Sequence, residues 1–334
     1  MRHKLRVKMK ILITGGAGYI GSHTLKALLE QNKHEICVID NLYSGSLNAI
    51  KTLKNIGNFN FFKLDLSDES ELEKLFKAQN FEAVLHFAAF IEVAESMKNP
   101  LKYYLNNTAN TAKLINLASK NGVKYFIFSS TAAVYGEPKS AFVDEKSPLC
   151  PINPYGRSKM MSEQILQDCQ NFKYAILRYF NVAGASVDGL IGQNYPNATH
   201  LIKVICQCIT KKRENISIFG NDYDTADGTC IRDYIHIEDL ANAHLSALDY
   251  LKSRQKSEIF NVGYGKGFSV SEVIETAKKV SGVDFKVLNA PRRAGDLASL
   301  IANANKLKEL TNWRPQHDNL SEIIKSALEW EKKL

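Results

Sequence analysis

The first half of the chain alternates short apolar runs with longer stretches of helical periodicity. The apolar runs cover residues 10–14, 36–39, 59–64, 83–88 and 124–130. Runs of this length with few polar side chains are typical of parallel strands buried on both faces. Helical periodicity covers residues 22–31 and about 100–121, and Asn121-Gly122 ends the second of these helices. The alternation predicts an α/β fold, a Rossmann-type doubly wound parallel sheet.

The pattern loosens in the second half of the chain. The segment 184–197 is rich in Gly, Asn and Pro, and a helix at about 197–212 follows it. We therefore expect a first domain at 10–180 and a smaller, interleaved C-terminal α/β domain at 181–334. A later segment, about 229–263, is predicted to return to the first domain.

A glycine-rich turn joins the first predicted strand to the first predicted helix. Gly15, Gly18 and Gly21 allow a tight turn, close approach of a pyrophosphate and close helix packing. Asp40 ends the second apolar run, nineteen residues after Gly21. A carboxylate there accepts hydrogen bonds from ribose hydroxyls and repels a 2′-phosphate, and no arginine is nearby, so NAD is favoured over NADP. In the alternative, structural interpretation, Asp40 only caps a turn.

Polar or small residues follow several of the predicted strands. They are Asp40, Asp65, Ala88 and the run Ser129-Ser130-Thr131. Ligands of open α/β sheets bind beyond the carboxyl ends of the strands, so these residues define the predicted edge of a site. His86 lies inside an apolar run, and we expect it, like His23, to be a packed core histidine.

Tyr155 and Lys159 are four residues apart where a helix is predicted to begin, after Pro154. On a helix they share one face, and a lysine cation beside a phenol favours the phenolate. A tyrosine base at neutral pH needs such help, because its ordinary pKa is about 10. Tyr135 and Lys139 have the same spacing, but Gly136 and Pro138 intervene, so we expect no shared helical face there.

Composition indicates a globular chain with no membrane partner. Of 334 residues, 45% are hydrophobic, yet no stretch approaches the roughly 20 apolar residues of a membrane helix. The net charge of +8 suits an anionic substrate such as a nucleotide. We expect no nucleic-acid partner. The basic segment 1–10 lacks the apolar core of a secretory signal, so we interpret it as a short extension, or as sequence upstream of a start at Met9.

Six cysteines occur without a Cys-x-x-Cys pair, and no histidine cluster has metal-ligand spacing. The sequence therefore predicts no metal site. Reduced thiols in a cytoplasmic protein fit this usage best.

Several stretches resemble the extended short-chain dehydrogenase/reductase superfamily, and more closely the UDP-hexose 4-epimerases. They are TGGAGYIGSHT, VIDNL, LHFAA, FSSTAAVYGEP, NPYGRSKMMSEQIL, LRYFNVAGA, IFGNDYDTADGTCIRDYIH and APRRAGD. They extend from residue 11 to about residue 300, nearly the whole chain. The resemblance implies that 10–180 binds NAD, that 181–334 mainly binds a UDP-sugar, and that the enzyme is a homodimer.

The resemblance also implies roles for individual residues. Tyr155 would be the acid/base on the sugar 4-hydroxyl, Lys159 would bind the nicotinamide ribose and lower the pKa of Tyr155, and Thr131 would share the proton transfer. The NAD site would consist of Gly15, Gly18, Tyr19, Ile20, Gly21, Asp40, Asn41, Ser44, Asp65, Leu66, Phe87, Ala88, Ala89, Asn106, Ser129, Tyr155, Lys159 and Tyr179. The UDP-sugar would be held by Thr131, Tyr155, Asn181, His200, Leu201, Phe219, Arg232, Arg293, Asp296 and Leu300.

Arginines suit a diphosphate on physical grounds, because guanidinium groups bind phosphate oxygens with fixed geometry. The alternative for Arg232 and Arg293 is a surface salt bridge. Arg292 is assigned that structural role.

The implied reaction is reversible inversion at C4 of a UDP-hexose through a transient 4-keto sugar, with tightly bound NAD. A nucleotide-sugar reductase is an alternative, and it would consume exchangeable NAD(P)H. A dehydratase is disfavoured, because Ala132-Ala133 follows Thr131 where dehydratases of the superfamily carry Asp-Glu. A non-catalytic dinucleotide-binding regulator would have no need of Thr131, Tyr155 and Lys159 together.

Four positions depart from the family pattern. Ile91 stands where a lysine that contacts the cofactor is common. His200 stands where the family has an asparagine that contacts the substrate diphosphate, and Val182 replaces a proline. Leu300 occupies a position where glucose-restricted epimerases often carry tyrosine. The missing ring predicts a roomier pocket, and hence interconversion of UDP-GlcNAc and UDP-GalNAc as well as UDP-glucose and UDP-galactose.

Overall fold

The structure, a computed structural model, describes residues 8–138, 140–197, 199–293 and 295–334. Lys139 of the second Tyr-x-x-x-Lys spacing and residues 1–7 of the basic segment lie outside the described residues. The strands are β1 (Met9–Thr14), β2 (His34–Asp40), β3 (Asn60–Lys63), β4 (Ala83–His86), β5 (Tyr125–Thr131), β6 (Phe142–Val143), β7 (Lys173–Tyr179), β8 (Asn181–Ala183), β9 (Asn215–Phe219), β10 (Ile231–His236), β11 (Glu258–Val262), β12 (Gly267–Ser269), β13 (Lys286–Ala290) and β14 (Ser299–Ala302).

The α-helices flank these strands. They are α1 (Tyr19–Gln31), α2 (Leu47–Lys54), α3 (Glu69–Gln79), α4 (Val93–Lys98), α5 (Pro100–Tyr103), α6 (Asn110–Lys120), α7 (Pro154–Asp168), α8 (Leu201–Ile209), α9 (Ile237–Arg254), α10 (Val270–Ser281), α11 (Asn305–Leu310) and α12 (Leu320–Glu331). A 3₁₀ turn covers Ala132–Val134, and a π-helical segment covers Tyr104–Ala109.

Seven parallel strands form the large sheet, in the order β11-β7-β5-β4-β1-β2-β3. Strand β1 lies inside this sheet, between β4 and β2, and carries Ile11, Leu12 and Ile13, which are fully buried, as expected for a strand covered by helices on both faces. The strand order reverses between β1 and β4, and such a switch point is where dinucleotides bind in doubly wound sheets. The predicted Rossmann-type α/β fold is confirmed.

The helix predicted at about 100–121 is present as α5, the π-helical segment and α6 in direct succession, but the sequence did not predict the π-helical segment. The π-helical segment separates α5 from α6, and it turns the Asn107 side chain into the protein. There Asn107 accepts from the backbone N–H of Phe90 at 2.8 Å and donates to its carbonyl at 2.9 Å. It also donates to Ser158 Oγ at 3.1 Å. These bonds replace regular helical geometry with contacts among three elements, as π-helical segments often do at functional sites.

The second sheet gathers segments that are far apart in the chain. Strand β10 lies beside β8, β12 and β14, and β6 extends the sheet at β14. Strands β9 and β13 form a separate parallel pair. Of the segment 229–263, β11 joins the large sheet and α9 packs against α1, whereas β10 belongs to the second sheet.

None of the described helices has both the length and the apolar composition needed to cross a membrane. All six cysteines are free thiols, and four of them are buried. This agrees with the expectation of reduced cysteines.

Candidate active site

A cleft of about 880 Å³ brings the two predicted sets of site residues together. Its walls include every residue predicted for the NAD site except Ser129 and Lys159. They also include every residue predicted for the UDP-sugar site. Lys159 is buried, and its Nζ donates to the carbonyl of Ser129 at 2.7 Å. These two residues therefore support the wall of the cleft from within.

The glycine turn after β1 has no room for side chains. Gly15 has a left-handed backbone, with φ of +70°, and a Cβ there would lie 2.6 Å from the backbone nitrogen of Ala88. A Cβ on Gly21 would lie 2.2 Å from the carbonyl oxygen of Gly15. Gly18 caps α1 without a side chain, which leaves the first N–H groups of the helix facing the turn without a side-chain acceptor. This cradle fits a pyrophosphate.

Asp40 makes the backbone bonds of a turn and also lines the cleft. Its carboxylate accepts from Ala17 N at 2.9 Å and from Leu42 N at 2.8 Å. Burial raises the pKa of Asp40, and these backbone N–H groups oppose the rise. Each carboxylate oxygen has a further lone pair for a ribose hydroxyl. The structural and the ribose-binding interpretations are therefore compatible.

Asp65 lies at the same edge of the cleft. It accepts from Asn41 Nδ2 at 2.6 Å and from the Ser67 hydroxyl at 2.6 Å. Burial alone would raise the pKa of Asp65, but the hydrogen bonds from Ser67 and Asn41 outweigh it and lower the pKa. Asp65 is thus an anionic acceptor that helps to orient Asn41.

Helix α7 begins where the sequence predicted, and its cap fixes the position of Tyr155. The Asn153 side chain accepts from the backbone N–H of Gly156 at 2.8 Å, and Pro154 occupies the first helical position. Tyr155 then lines the cleft one turn before Lys159. Thr131 ends β5 on the same cleft wall, and its hydroxyl accepts from Ala133 N at 3.2 Å.

Burial controls the protonation of both groups. It raises the pKa of Tyr155 to about 12, against the effect of the Thr131 hydroxyl. It lowers the pKa of Lys159 to about 7, against the effect of Glu163. Lys159 Nζ also lies 4.8 Å from the centre of the Phe128 ring. The side chains of the protein alone therefore leave Tyr155 as a phenol at neutral pH, and an added positive charge in the cleft would favour its phenolate.

Cations line the other end of the cleft. Arg232 Nη1 donates to the Ile231 carbonyl at 2.8 Å. Arg293 pairs with Asp296 at 2.8 Å, and its guanidinium lies 4.5 Å from the centre of the Phe219 ring. These contacts orient the arginines while both still line the cleft. Arg292 instead pairs with exposed Asp222 at 2.7 Å, as predicted for a surface salt bridge.

Two of the unusual positions of the sequence lie in the same wall. His200 Nδ1 is 3.1 Å from Gln193 Nε2, and burial lowers the pKa of His200, so its ring is neutral at pH 7. Leu300 pairs in register with Arg232 between β14 and β10. It lines the cleft and packs in a small apolar cluster with Phe180.

His86 and His23 are core residues, as expected. His86 lies 2.6 Å from Thr14 Oγ1 and 2.7 Å from Thr111 Oγ1, and burial lowers its pKa to about 3. His23 Nδ1 lies 2.7 Å from the Tyr19 carbonyl, and burial lowers its pKa to about 4.

Sequence reasoning missed several residues of the cleft. Glu92 and Arg213 line it, and Glu92 Oε2 accepts from the Thr199 hydroxyl at 2.9 Å. This hydrogen bond joins the loop after β4 to the loop before α8. No local pattern distinguishes either residue from an ordinary surface charge, so the sequence offered no signal for them.

A cluster of possible metal ligands occurs in the described part of the chain, but outside the cleft lining. Ligand-type atoms of His236, Glu238 and His317 lie within 4.8 Å of one another. His236 already accepts from Glu238 N at 3.2 Å, and its Nε2 lies 3.2 Å from Ser326 Oγ. These contacts cap α9 and join it to α12, so we assign no metal to the cluster.

A glycine cradle at the switch point of a Rossmann sheet, with Thr131, Tyr155 and Lys159 beside it, defines an NAD-binding enzyme of the short-chain dehydrogenase/reductase type. The chain belongs to the NAD dependent epimerase/dehydratase family, which residues 11–263 match. The predictions of this family and of NAD as cofactor are confirmed.

Characterised relatives match nearly the whole chain. A UDP-glucose 4-epimerase of Streptococcus mutans is 46% identical over 96% of this chain and 96% of its own length. The structure of the UDP-Glc/GlcNAc 4-epimerase from Campylobacter jejuni is 60% identical, covers 98% of this chain and all of that one, and gives a TM-score of 0.86. A UDP-glucose 4-epimerase from Stenotrophomonas maltophila, solved with NAD and formylated UDP-arabinopyranose, is 35% identical over 97% of this chain and 98% of its own, with a TM-score of 0.93.

Proposed function

We propose that this enzyme reversibly inverts C4 of UDP-hexoses, interconverting UDP-glucose and UDP-galactose with a tightly held NAD. The observation that carries the proposal is that one cleft is lined by the glycine cradle, by Thr131 and Tyr155, and by Arg232 and Arg293. A dinucleotide site, a proton-transfer pair and a diphosphate site thus meet in one cavity.

The bound NAD would supply the redox chemistry, taking hydride from C4 and returning it. Gly15, Gly18 and Gly21 would hold its pyrophosphate, and Asp40 a ribose. Lys159 would hydrogen-bond the nicotinamide ribose.

Tyr155 would take the proton of the sugar 4-hydroxyl and return it later, and the Thr131 hydroxyl would hydrogen-bond the same oxygen. Arg232 and Arg293 would hold the diphosphate throughout. The 4-keto sugar could then turn on this tether and present its other face.

Two alternative reactions are less well supported. Dehydration needs an acid/base after Thr131, and Ala132 and Ala133 supply none. A reductase would release a reduced product and consume NAD(P)H, whereas inversion at C4 is redox-neutral overall. Curated relatives at 43–46% identity carry the name epimerase, which favours inversion.

The proposed substrate range includes UDP-GlcNAc and UDP-GalNAc. Leu300 lines the cleft, and its side chain lacks the ring and hydroxyl of the tyrosine that glucose-restricted epimerases often carry there. The named activity of the Campylobacter jejuni relative on both Glc and GlcNAc substrates supports this extension.

We also propose a cytoplasmic homodimer. Large apolar side chains are exposed on neighbouring helical segments: Met97 on α4, Leu101 on α5 and Leu105 on the π-helical segment. Leu101 and Leu105 are 72% and 66% exposed, and such contiguous apolar residues mark protein–protein contacts. Sedimentation of the purified chain should give twice its 37.4 kDa.

The proposed function is tested by proton NMR of the purified chain with UDP-glucose and no added cofactor. We expect the anomeric signal of UDP-galactose to grow until a mixture of the two sugars remains. Absence of turnover even with added NAD would refute the proposal. Stoichiometric consumption of added NAD(P)H would indicate the reductase, and a 4-keto-6-deoxy product would indicate the dehydratase.

A further inference from the structure

A buried ion pair lies next to the residues that we assign to proton transfer. Glu163 on α7 and Arg178 on β7 are 0% and 2% exposed. Arg178 Nη2 donates to Glu163 Oε2 at 2.6 Å, and its Nε donates to both carboxylate oxygens at 3.1 Å. A fully buried pair loses so much hydration energy that stability alone seldom explains it. Its position therefore suggests a role in the site.

The carboxylate connects the two elements that carry the proposed proton relay. Glu163 follows Lys159 by four residues and so shares its face of α7. Glu163 Oε1 also accepts a hydrogen bond from the Ser130 hydroxyl of β5. Ser130 is flanked by Ser129, whose carbonyl accepts from Lys159, and by Thr131. Glu163 thus holds the end of β5 against α7.

Further hydrogen bonds hold Arg178 in place. Its Nη1 donates to the Tyr135 hydroxyl at 3.2 Å, and Tyr135 donates to Asn261 Oδ1 at 2.6 Å. Asn261 Nδ2 in turn donates to the Val143 carbonyl at 2.9 Å. Because each of these groups is already engaged, Arg178 cannot turn away from Glu163 without leaving buried groups unpaired.

The charge of Glu163 also acts on Lys159. Burial lowers the pKa of Lys159 to about 7, and Glu163 is the group that opposes this. The other titratable groups around Lys159 and its partner Ser129 are Tyr155 on α7, His86 on β4, Arg178 and Tyr179 on β7, and His244 on α9. Burial raises the pKa of both tyrosines and lowers that of both histidines, so these four are neutral at pH 7. Among these described groups Glu163 is the carboxylate and Arg178, its partner, is the guanidinium.

We propose that Glu163 is a positioning residue of this site: it holds Ser129 and Thr131 against the helix of Tyr155, and its carboxylate acts on the charge of Lys159 one turn away. The catalytic consequence rests on the proposed function. The charge of Lys159 does not, because it can be measured without turnover.

The test is to titrate Lys159 by NMR in protein with carbon-13-labelled lysine, the signal being assigned with Lys159→Met. In Glu163→Gln we expect the midpoint of the Lys159 titration to fall by about one pH unit or more, which is a tenfold change in the protonation equilibrium of Lys159. With UDP-glucose at pH 7.5, kcat should fall about tenfold with little change in KM, because a fall of one unit in the pKa of Lys159 reduces its protonated fraction by about that factor. Ser130→Ala keeps the ion pair, so it should lower kcat without moving the midpoint.

Glu331→Gln is the matched control. It breaks a second buried ion pair, Lys203–Glu331, whose side chains are 5% and 2% exposed. It should lose thermal stability as Glu163→Gln does, yet keep the midpoint of Lys159. If Glu163→Gln does not fold, Glu163→Gln/Arg178→Met replaces it, because removing both charges leaves no buried ion unpaired. Its midpoint should fall by less than in Glu163→Gln, because this variant also removes the positive charge of Arg178.

An unchanged midpoint of Lys159 in the Glu163 variant that folds would overturn the proposal. Full turnover of Ser130→Ala would overturn the positioning part. An inactive wild type would refute the proposed function instead, and the titration would still decide whether Glu163 sets the charge of Lys159.

Discussion

Tyr155 is buried at the point where the proposed reaction needs a base. Burial raises its pKa to about 12, the opposite of what a base at neutral pH requires. Lys159 is close to losing its own charge, because burial lowers its pKa to about 7. A neutral phenol beside a weakly held cation is a site that becomes competent when a further positive charge enters the cleft, as the oxidised nicotinamide would provide.

Tyr155→Phe should reduce turnover of UDP-glucose by at least ~100-fold, because it removes the proton-transfer group. The NAD content of the purified protein should remain that of the wild type. The measurements are product formation by NMR and NAD released on denaturation. Retained wild-type turnover would contradict the assignment.

Tyr135 provides the matched control for this substitution. It has the same Tyr-x-x-x-Lys spacing in the sequence, but its hydroxyl donates to Asn261 inside the protein. Tyr135→Phe should therefore cost about 1–3 kcal/mol of unfolding free energy, since Asn261 loses a buried partner. Its turnover should stay far above that of Tyr155→Phe.

Leu300→Tyr should restrict the substrate range. The larger side chain would fill the space that we assign to the acetamido group, so kcat/KM for UDP-GlcNAc should fall ~10-fold or more while that for UDP-glucose changes little. Leu300→Met conserves volume and should keep both activities. Equal losses on the two substrates in Leu300→Tyr would contradict this role.

At the scale of elements, apolar runs located the strands of the large sheet because each run is buried on both faces. The π-helical segment at Tyr104–Ala109 could not be predicted. Its residues continue the apolar periodicity of a helix, and the bonds of Asn107 to Phe90 and Ser158 that hold it arise only in the folded chain. The glycine turn, by contrast, was predictable from its position between a strand and a helix.

Gly21→Ala tests this turn. The added Cβ would lie 2.2 Å from the Gly15 carbonyl oxygen, so α1 must shift away from the turn. We expect loss of bound NAD and a loss of about 1–3 kcal/mol of unfolding free energy, measured by denaturation. Gly57→Ala is the control, since its Cβ would meet only the flexible Leu29 side chain, at 3.2 Å. Full NAD content in Gly21→Ala would contradict the role of the cradle.

At the scale of the whole molecule, the second sheet could not be predicted from the sequence. Strand β10 lies between strands that come from distant parts of the chain, and β6 and β8 span only two and three residues. Segments so short have no periodicity of their own, and their pairing depends on how the rest of the chain folds. For the same reason the sequence predicted the residues of the cleft by resemblance but missed Glu92 and Arg213.

Acid should begin to destabilise the folded protein at a pH well above the pKa range of ordinary carboxyl groups. Burial lowers the pKa of His23 and His244 to about 4 and that of His86 and His236 to about 3. The unfolded chain binds protons at these histidines below about pH 6.5, whereas the folded chain does not. The stability that depends on these histidines is therefore full above about pH 6.5 and falls as pH decreases toward 4.

The melting temperature, measured from pH 6.5 to pH 5, should accordingly decrease. His86→Gln should weaken the decrease, because it removes one of the protons taken up on unfolding. A melting temperature that does not change between pH 6.5 and pH 5 would contradict the neutral, buried state of these histidines.

Transient oxidation at C4 with return of the same hydride is tested most directly with UDP-glucose that carries deuterium at C4, in ordinary water. The hydride of C4 never reaches solvent if the protein keeps its NAD bound through the cycle. We expect UDP-galactose with the deuterium retained at C4. Product carrying a solvent proton at C4 would contradict it.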